Sequence, residues 1–196
     1  MSIVPLSSSC KQGALRIAYP QSAFQNLRRF TNRSTMKESS RTRMKEFDYT
    51  LNYKTLDFAD PVTARLYRIG RGEQGVLLVR PYTNDLVKLW RFKTPTEASI
   101  SARAIYAKFV GYLNEGNFVG ADMARKFLEM GFTRSRRYAN HRNGRKYNLD
   151  RTIRPHEPDH ATCKFAESAK IFKEYRDRAT RDPNYITMRK EWRKAE

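Results

Sequence analysis

Cysteine is nearly missing: the 196-residue chain has only Cys10 and Cys163. Cys10 falls in a stretch without folding signals, which argues against a structural disulfide. A reducing compartment, or indifference to redox, fits this usage. No C-x-x-C pair and no G-x-S-x-G elbow occurs, and histidine is limited to His141, His156 and His160, so the catalytic inventory is thin. Long apolar runs are missing too. No stretch approaches the roughly 20 residues of a membrane-spanning helix. The scarcest class by proportion is acid: 20 Asp and Glu stand against 39 Lys and Arg, a net charge of +19. Charge of that size costs stability through self-repulsion, and its retention points to an anionic partner. Nucleic acid is the first candidate, with an anionic membrane surface or an acidic protein as alternatives. A basic targeting tail plus ordinary solvated faces would also account for it. Aromatics, in contrast, are plentiful. Eleven Tyr, eleven Phe and two Trp supply enough buried area to offset ordering entropy and argue against disorder throughout.

Residues 1–46 form a basic, Ser- and Arg-rich extension. Its nine Lys and Arg against Glu38 and Glu46 hold +7 of the total charge, and residues 1–36 contain no acid. This composition matches an organelle transit peptide as well as a disordered tail. Mitochondrial or plastid import is therefore one expectation, and a cytoplasmic or nuclear protein the other. Met36 and Met44 are candidate alternative starts. A compact domain is expected over 47–147, followed by a loop over 148–162, where Pro155 and Pro158 lie among charges, and charged helices over 163–196. Period-two alternation over Phe47–Tyr53 reads as a strand. Arg65–Ile69 and Val76–Val79 read as paired strands around a glycine turn, with Leu89–Phe92 as a further strand or a helix end. Thr94-Pro95-Thr96-Glu97 is a capping box with proline at the first helical position, opening a helix that ends near Gly116. A second helix is expected over Phe118–Met130, with Gly131 as its left-handed C-terminal residue. Two last helices come next, Lys164–Ala179 and Pro183–Lys194. The expected class is α+β, a small antiparallel sheet packed on helices with a helical C-terminal extension.

Three motifs invite a chemical reading. Gly70-Arg71-Gly72-Glu73-Gln74-Gly75 spells G-x-G-x-x-G, but it leads into an apolar run resembling a strand and not into a helix, as dinucleotide binding requires. It also resembles the strand-loop-strand lid of protein kinases, yet no His-Arg-Asp or Asp-Phe-Gly motif accompanies it. A glycine hairpin is one reading. An anion-binding nest of Arg68, Gly70, Arg71, Gly72 and Gly75 is the other. His156-Glu157-Pro158-Asp159-His160 spells H-E-x-x-H, but Pro158 between the histidines breaks the helix that zinc chemistry needs. No metal site and no cofactor is expected. Asp122 is spaced to pair with Arg125 or Lys126 on the same helix surface. The third motif is Arg134 to Tyr147, with six Lys or Arg and no acid. Arg134, Arg136, Arg137, Arg142, Arg145 and Lys146 suit phosphate. Tyr138 and Tyr147 suit base stacking, while Asn140, Asn143 and Ser135 suit phosphate or base edges. Asn143-Gly144 reads as a tight turn between a short helix and a hairpin-like tip. Internal pairing of these arginines with acids of the last helices remains the alternative.

Several blocks carry a family resemblance. They are Leu66–Val79, Trp90–Pro95, Val119–Arg134, Arg137–Asn140, Gly144–Tyr147 and Glu167–Phe172. With them, Phe47 to Tyr147 resembles a family described only as a domain of unknown function and associated with bacteria, phages and some eukaryotes. The resemblance implies no activity, cofactor or catalytic residue. It implies that residues 1–46 are an extension and that His156–His160 is peculiar to this chain. Three functions remain open on the sequence. The leading one is binding of nucleic acid or another polyanion through the Arg/Tyr/Asn surface. The second is an enzyme acting on a phosphorylated or anionic small substrate at Gly70–Gly75. The third is a structural or assembly factor with no ligand.

Overall fold

The structure, a computed structural model, describes residues 47–196. The expected extension 1–46, with Cys10, Met36 and Met44, lies outside the described residues. Within them α1 (Pro61–Ala64) and α2 (Tyr82–Leu89) are short. The framework is α3 (Pro95–Asn114), α4 (Phe118–Asn140), α5 (Lys164–Arg181) and α6 (Pro183–Ala195).

The ends of these helices are set by local chemistry. Glu97 N–H donates to Thr94 Oγ1 at 3.2 Å, and Thr94 N–H donates to the Glu97 carboxylate at 3.1 Å, closing the capping box that opens α3. Gly116, at φ 69°, turns the chain after α3, and the Asn117 side chain caps α4 by accepting from Gly120 N–H at 2.9 Å. Asp182 separates α5 from α6 and caps the latter by accepting from the amides of Asn184 and Tyr185. α3, α4 and α5 pack on one another around Ile105, Phe109, Met123, Phe127 and Phe172, all fully buried. The segment before α3 wraps this framework and adds Phe47, Tyr53, Phe58, Tyr67, Ile69 and Leu86 to the same core.

No strand occurs among the described residues, so the expected α+β class is overturned: the fold is all-α. The only β feature among them is an isolated antiparallel bridge between Tyr147 and Ile153. The reason lies in who satisfies the backbone. Over Phe47–Tyr53 the Asp48 carboxylate accepts from Thr50 N–H at 2.8 Å and the Asn52 side chain from Lys54 N–H at 3.3 Å, so local turns replace a ladder. Arg65–Ile69 does alternate, with Tyr67 and Ile69 buried and Leu66 exposed. Its backbone partners, however, are the preceding turn and side chains: Arg65, Leu66 and Tyr67 N–H donate to Val62, Thr63 and Ala64 carbonyls. Trp192 Nε1 of α6 donates to Tyr67 O at 3.1 Å, and Ile69 N–H donates to the Glu196 carboxylate at 2.8 Å. Val76–Val79 folds as turns, with Val76 N–H on Glu73 O and Leu78 N–H on Gly75 O. Arg91 N–H, in the last expected strand, donates to Ser101 Oγ of α3 at 3.0 Å.

α4 also runs ten residues further than its sequence predicts. Gly131 is an interior position, not a terminus. A Cβ there would overlap the Phe172 ring of α5, so the glycine serves close helix approach.

Candidate functional site

The acid-free segment is divided between two environments. Arg134, Arg136, Arg137, Tyr138 and Asn140 lie on the last turns of α4, and Arg142 begins a 3-10 turn, Arg142–Gly144. Arg136 is turned inward: it donates to His160 O at 3.1 Å and to Asn140 Oδ1 at 2.8 Å, bracing α4 against the loop before α5. Ser135 is fully buried, whereas Tyr138 packs one side against Phe92 and Phe165 and leaves the rest of its ring exposed. Arg137, Arg142 and Arg145 are exposed, and Arg134 and Lys146 partly so. None of the six cations pairs with a carboxylate among the described residues.

The tight turn falls where expected, with Asn143 at φ 55° and Gly144 at φ 70°. Beyond it the chain makes a small hairpin. Arg154 N–H donates to Lys146 O at 2.9 Å and Asn148 N–H to Thr152 O at 2.9 Å. Arg151, at φ 66°, turns its tip. Tyr147, Leu149 and Ile153 are all exposed on this arm, and Arg151 and Arg154 add to its positive charge. The three histidines meet at its base, with ring centroids 5.3 Å apart for His141 and His156 and 5.2 Å for His156 and His160. No helix forms over His156–His160. No group of three or more His, Cys, Asp or Glu among the described residues is arranged to hold a metal.

A second constellation is hidden in the sequence. Asp122, expected on the surface of α4, is fully buried. Tyr67 donates its hydroxyl to Oδ2, and Tyr185 donates to Oδ1 at 2.6 Å. Arg125 Nε donates to Oδ1 at 3.0 Å, and Lys126 Nζ lies 3.5 Å from Oδ2. Burial alone would push the Asp122 carboxyl up, but Arg125, Lys126 and the two hydroxyls outweigh it and hold the group well below the usual carboxylate range. Burial, then the Asp122 charge, pushes both tyrosines up, so they stay neutral donors. Burial lowers Lys126, with Asp122 opposing. With its oxygens engaged by three hydrogen-bond donors and the nearby Lys126 ammonium, Asp122 is a structural anchor and not an acid or base.

The cluster grips the glycine turn. Arg125 Nη2 donates to Gly72 O at 3.4 Å and Lys126 Nζ to Gln74 O at 2.8 Å, while Arg71 N–H is taken by Gln74 Oε1 at 2.8 Å. Arg68 leans away onto Glu196 O at 3.1 Å, and Gly75 backs onto the Phe47 ring. Gly70 and Gly72 face a cleft of about 400 Å³ whose other wall is α6. Arg71, Arg125, Arg189, Lys190 and Arg193 line it, together with the edge of Tyr185. The cleft joins the glycine turn to α6 and not to Arg134–Tyr138. Tyr185, Arg189 and Arg193 recur every four residues on α6, a stripe visible in the sequence but not assigned there.

The described residues thus define an all-α domain with a basic arm and a cationic cleft. The chain belongs to the family DUF4385, a domain of unknown function, whose family model matches residues 48–195. No curated protein matches the chain. No solved structure matches it either. No helix of the described residues is long and apolar enough to cross a membrane.

Proposed function

We propose that the chain binds nucleic acid, with the end of α4 and the following hairpin as the contact surface. The observation that carries this reading is the set of unpaired side-chain cations: the side chains of Arg134, Arg137, Arg142, Arg145 and Lys146 make no ion pair among the described residues, and Glu157 reaches only the Arg142 backbone N–H, at 3.1 Å. Structural pairing, the competing account of an arginine-rich segment, would place acids against them. Arg136 and Asn140 brace the surface from behind. Tyr147 offers an exposed ring for base stacking, with the Lys146 ammonium 5.3 Å from its centre. Fully exposed Leu149, at the tip between Asn148 and Asp150, has the character of an apolar wedge beside a phosphate backbone.

Anisotropy titrations of labelled duplex DNA test this. About five phosphate contacts give a slope of log K against log salt near −4.5. The full chain carries the further charge of residues 1–46, so the deciding comparison is the triple variant R137E/R142E/R145E. It should bind at least about tenfold more weakly and with a shallower slope. Wild-type affinity and slope in that variant would sink the reading.

A further inference from the structure

We propose that the cleft between the Gly70–Gly72 turn and α6 is a binding site for a phosphorylated small molecule, with the phosphate group as the recognised part. This site is separate from the nucleic-acid surface. Arg125 and Asn140 lie fifteen residues apart on one helix, about 22 Å at the helical rise.

Three observations converge. The first is charge. The lining side chains include five cations, Arg71, Arg125, Arg189, Lys190 and Arg193, and no carboxylate. Arg193 has an acid within reach, Glu196, but at 4.0 Å, and the Glu196 carboxylate also takes the Ile69 amide. By contrast, the wider groove along α5 mixes Lys170, Lys173 and Arg178 with Glu174 and Asp177, so its charges answer one another.

The second is the buried cluster beneath. Asp122 is one anion set between two cations, Arg125 and Lys126, which leaves a buried positive charge without a counter-ion. Lys126 is spent on Gln74 O and on the faces of Phe47 and Tyr67. Arg125 belongs to the cleft wall, with its orientation held by Asp122, Tyr185 and Gly72 O. An uncompensated buried cation is costly, and an oxyanion in the cleft supplies the missing charge. A guanidinium fixed by several acceptors is also pre-organised for phosphate and loses little freedom on binding.

The third is access. Gly72, at φ 54°, would meet nothing within 4 Å if it carried a Cβ, so the turn leaves the cleft mouth open. A volume of about 400 Å³ lies within the range of small-molecule sites.

The experiment uses the full chain and isothermal titration calorimetry with inorganic pyrophosphate and with ADP. One saturable site per chain is expected. The pair R189E/R193E, on the exposed face of α6, should weaken binding at least about tenfold. The pair R137E/R142E should leave it within about twofold, because those residues lie more than a Debye length away. Far-ultraviolet circular dichroism and the melting curve show whether α6 still packs. If R189E/R193E fails to fold, R189Q serves in its place with the same expected direction. Absence of saturable binding overturns the proposal, as does loss of pyrophosphate binding in R137E/R142E with retention in R189E/R193E. A 5′-phosphorylated oligonucleotide lost from R189E/R193E, when pyrophosphate and ADP do not compete for it, would assign the cleft to a strand end and overturn the small-molecule reading. Failure of the nucleic-acid reading is scored separately, by R137E/R142E/R145E on duplex DNA.

Discussion

Asp122 shows how much one residue's meaning depends on its surroundings. On the helix it sits three and four places before Arg125 and Lys126, a spacing that also suits a weak solvated pair. Buried beneath two tyrosine hydroxyls, it becomes the anchor of the glycine turn. Its neutral replacement D122N would leave Arg125 and Lys126 buried without a counter-charge. The expected loss is about 3–5 kcal/mol by chemical denaturation. The pH dependence has a definite sign. The folded-state carboxyl titrates below its unfolded value of 3.8. Its stabilising contribution is therefore complete above about pH 4 and falls away as the pH drops further. D122N should flatten that acid limb, and unchanged acid sensitivity would show that other carboxylates dominate it. The spacing of Asp122, Arg125 and Lys126 is plain in the sequence. Their burial is not, because it depends on Tyr67 and Tyr185, which are remote along the chain.

Among the helices, those with caps written into adjacent residues are the most legible. Thr94-Pro95-Thr96-Glu97 and Asp182-Pro183 carry their hydrogen-bonding partners within a turn, so α3 and α6 start where the sequence places them. Gly131 misleads because a glycine near the end of an apolar stripe looks the same whether it terminates a helix or admits a neighbour. Phe172, more than forty residues away, decides between the two. The substitution G131A should therefore destabilise the fold by about 1–3 kcal/mol through overpacking, despite a helix-propensity gain of about 1 kcal/mol. Thermal or urea unfolding would settle the sign, and a stabilised variant would mean that α5 moves away freely. The strand expectations fail for a similar reason. Alternation reports that one side of an extended segment is buried, but it does not name the partner. At the Tyr67 carbonyl and the Ile69 and Arg91 amides the partners are side chains, so extended chain forms without a sheet.

In the molecule as a whole, the segment before α3 and the last helix hold each other. Trp192 stacks on Phe118 with ring centres 5.0 Å apart and donates its indole N–H to Tyr67 O. W192A should cost about 3–5 kcal/mol. It should also raise hydrogen exchange at Ile69 and in α6 more than in the α3–α4 pair. A uniform increase across all helices would mean that the two regions are not a separable unit. The same arrangement brings α6 against the glycine turn and so builds the cationic cleft.

Counting and short-range spacing were enough, without any structure, for the excess of basic residues, the capped starts of α3 and α6 and the turn at Asn143-Gly144, and the resemblance of whole blocks was enough for the family. Each of these rests on composition, on residues within a few positions of one another, or on the similarity of whole blocks. Tertiary structure alone decided the class of the fold, the inward turn of Arg136 and the convergence of Gly70, Gly72, Arg125 and Arg189 on one cleft. Those outcomes depend on which distant group satisfies a backbone amide or balances a buried charge, and such pairings leave no local trace in the order of residues.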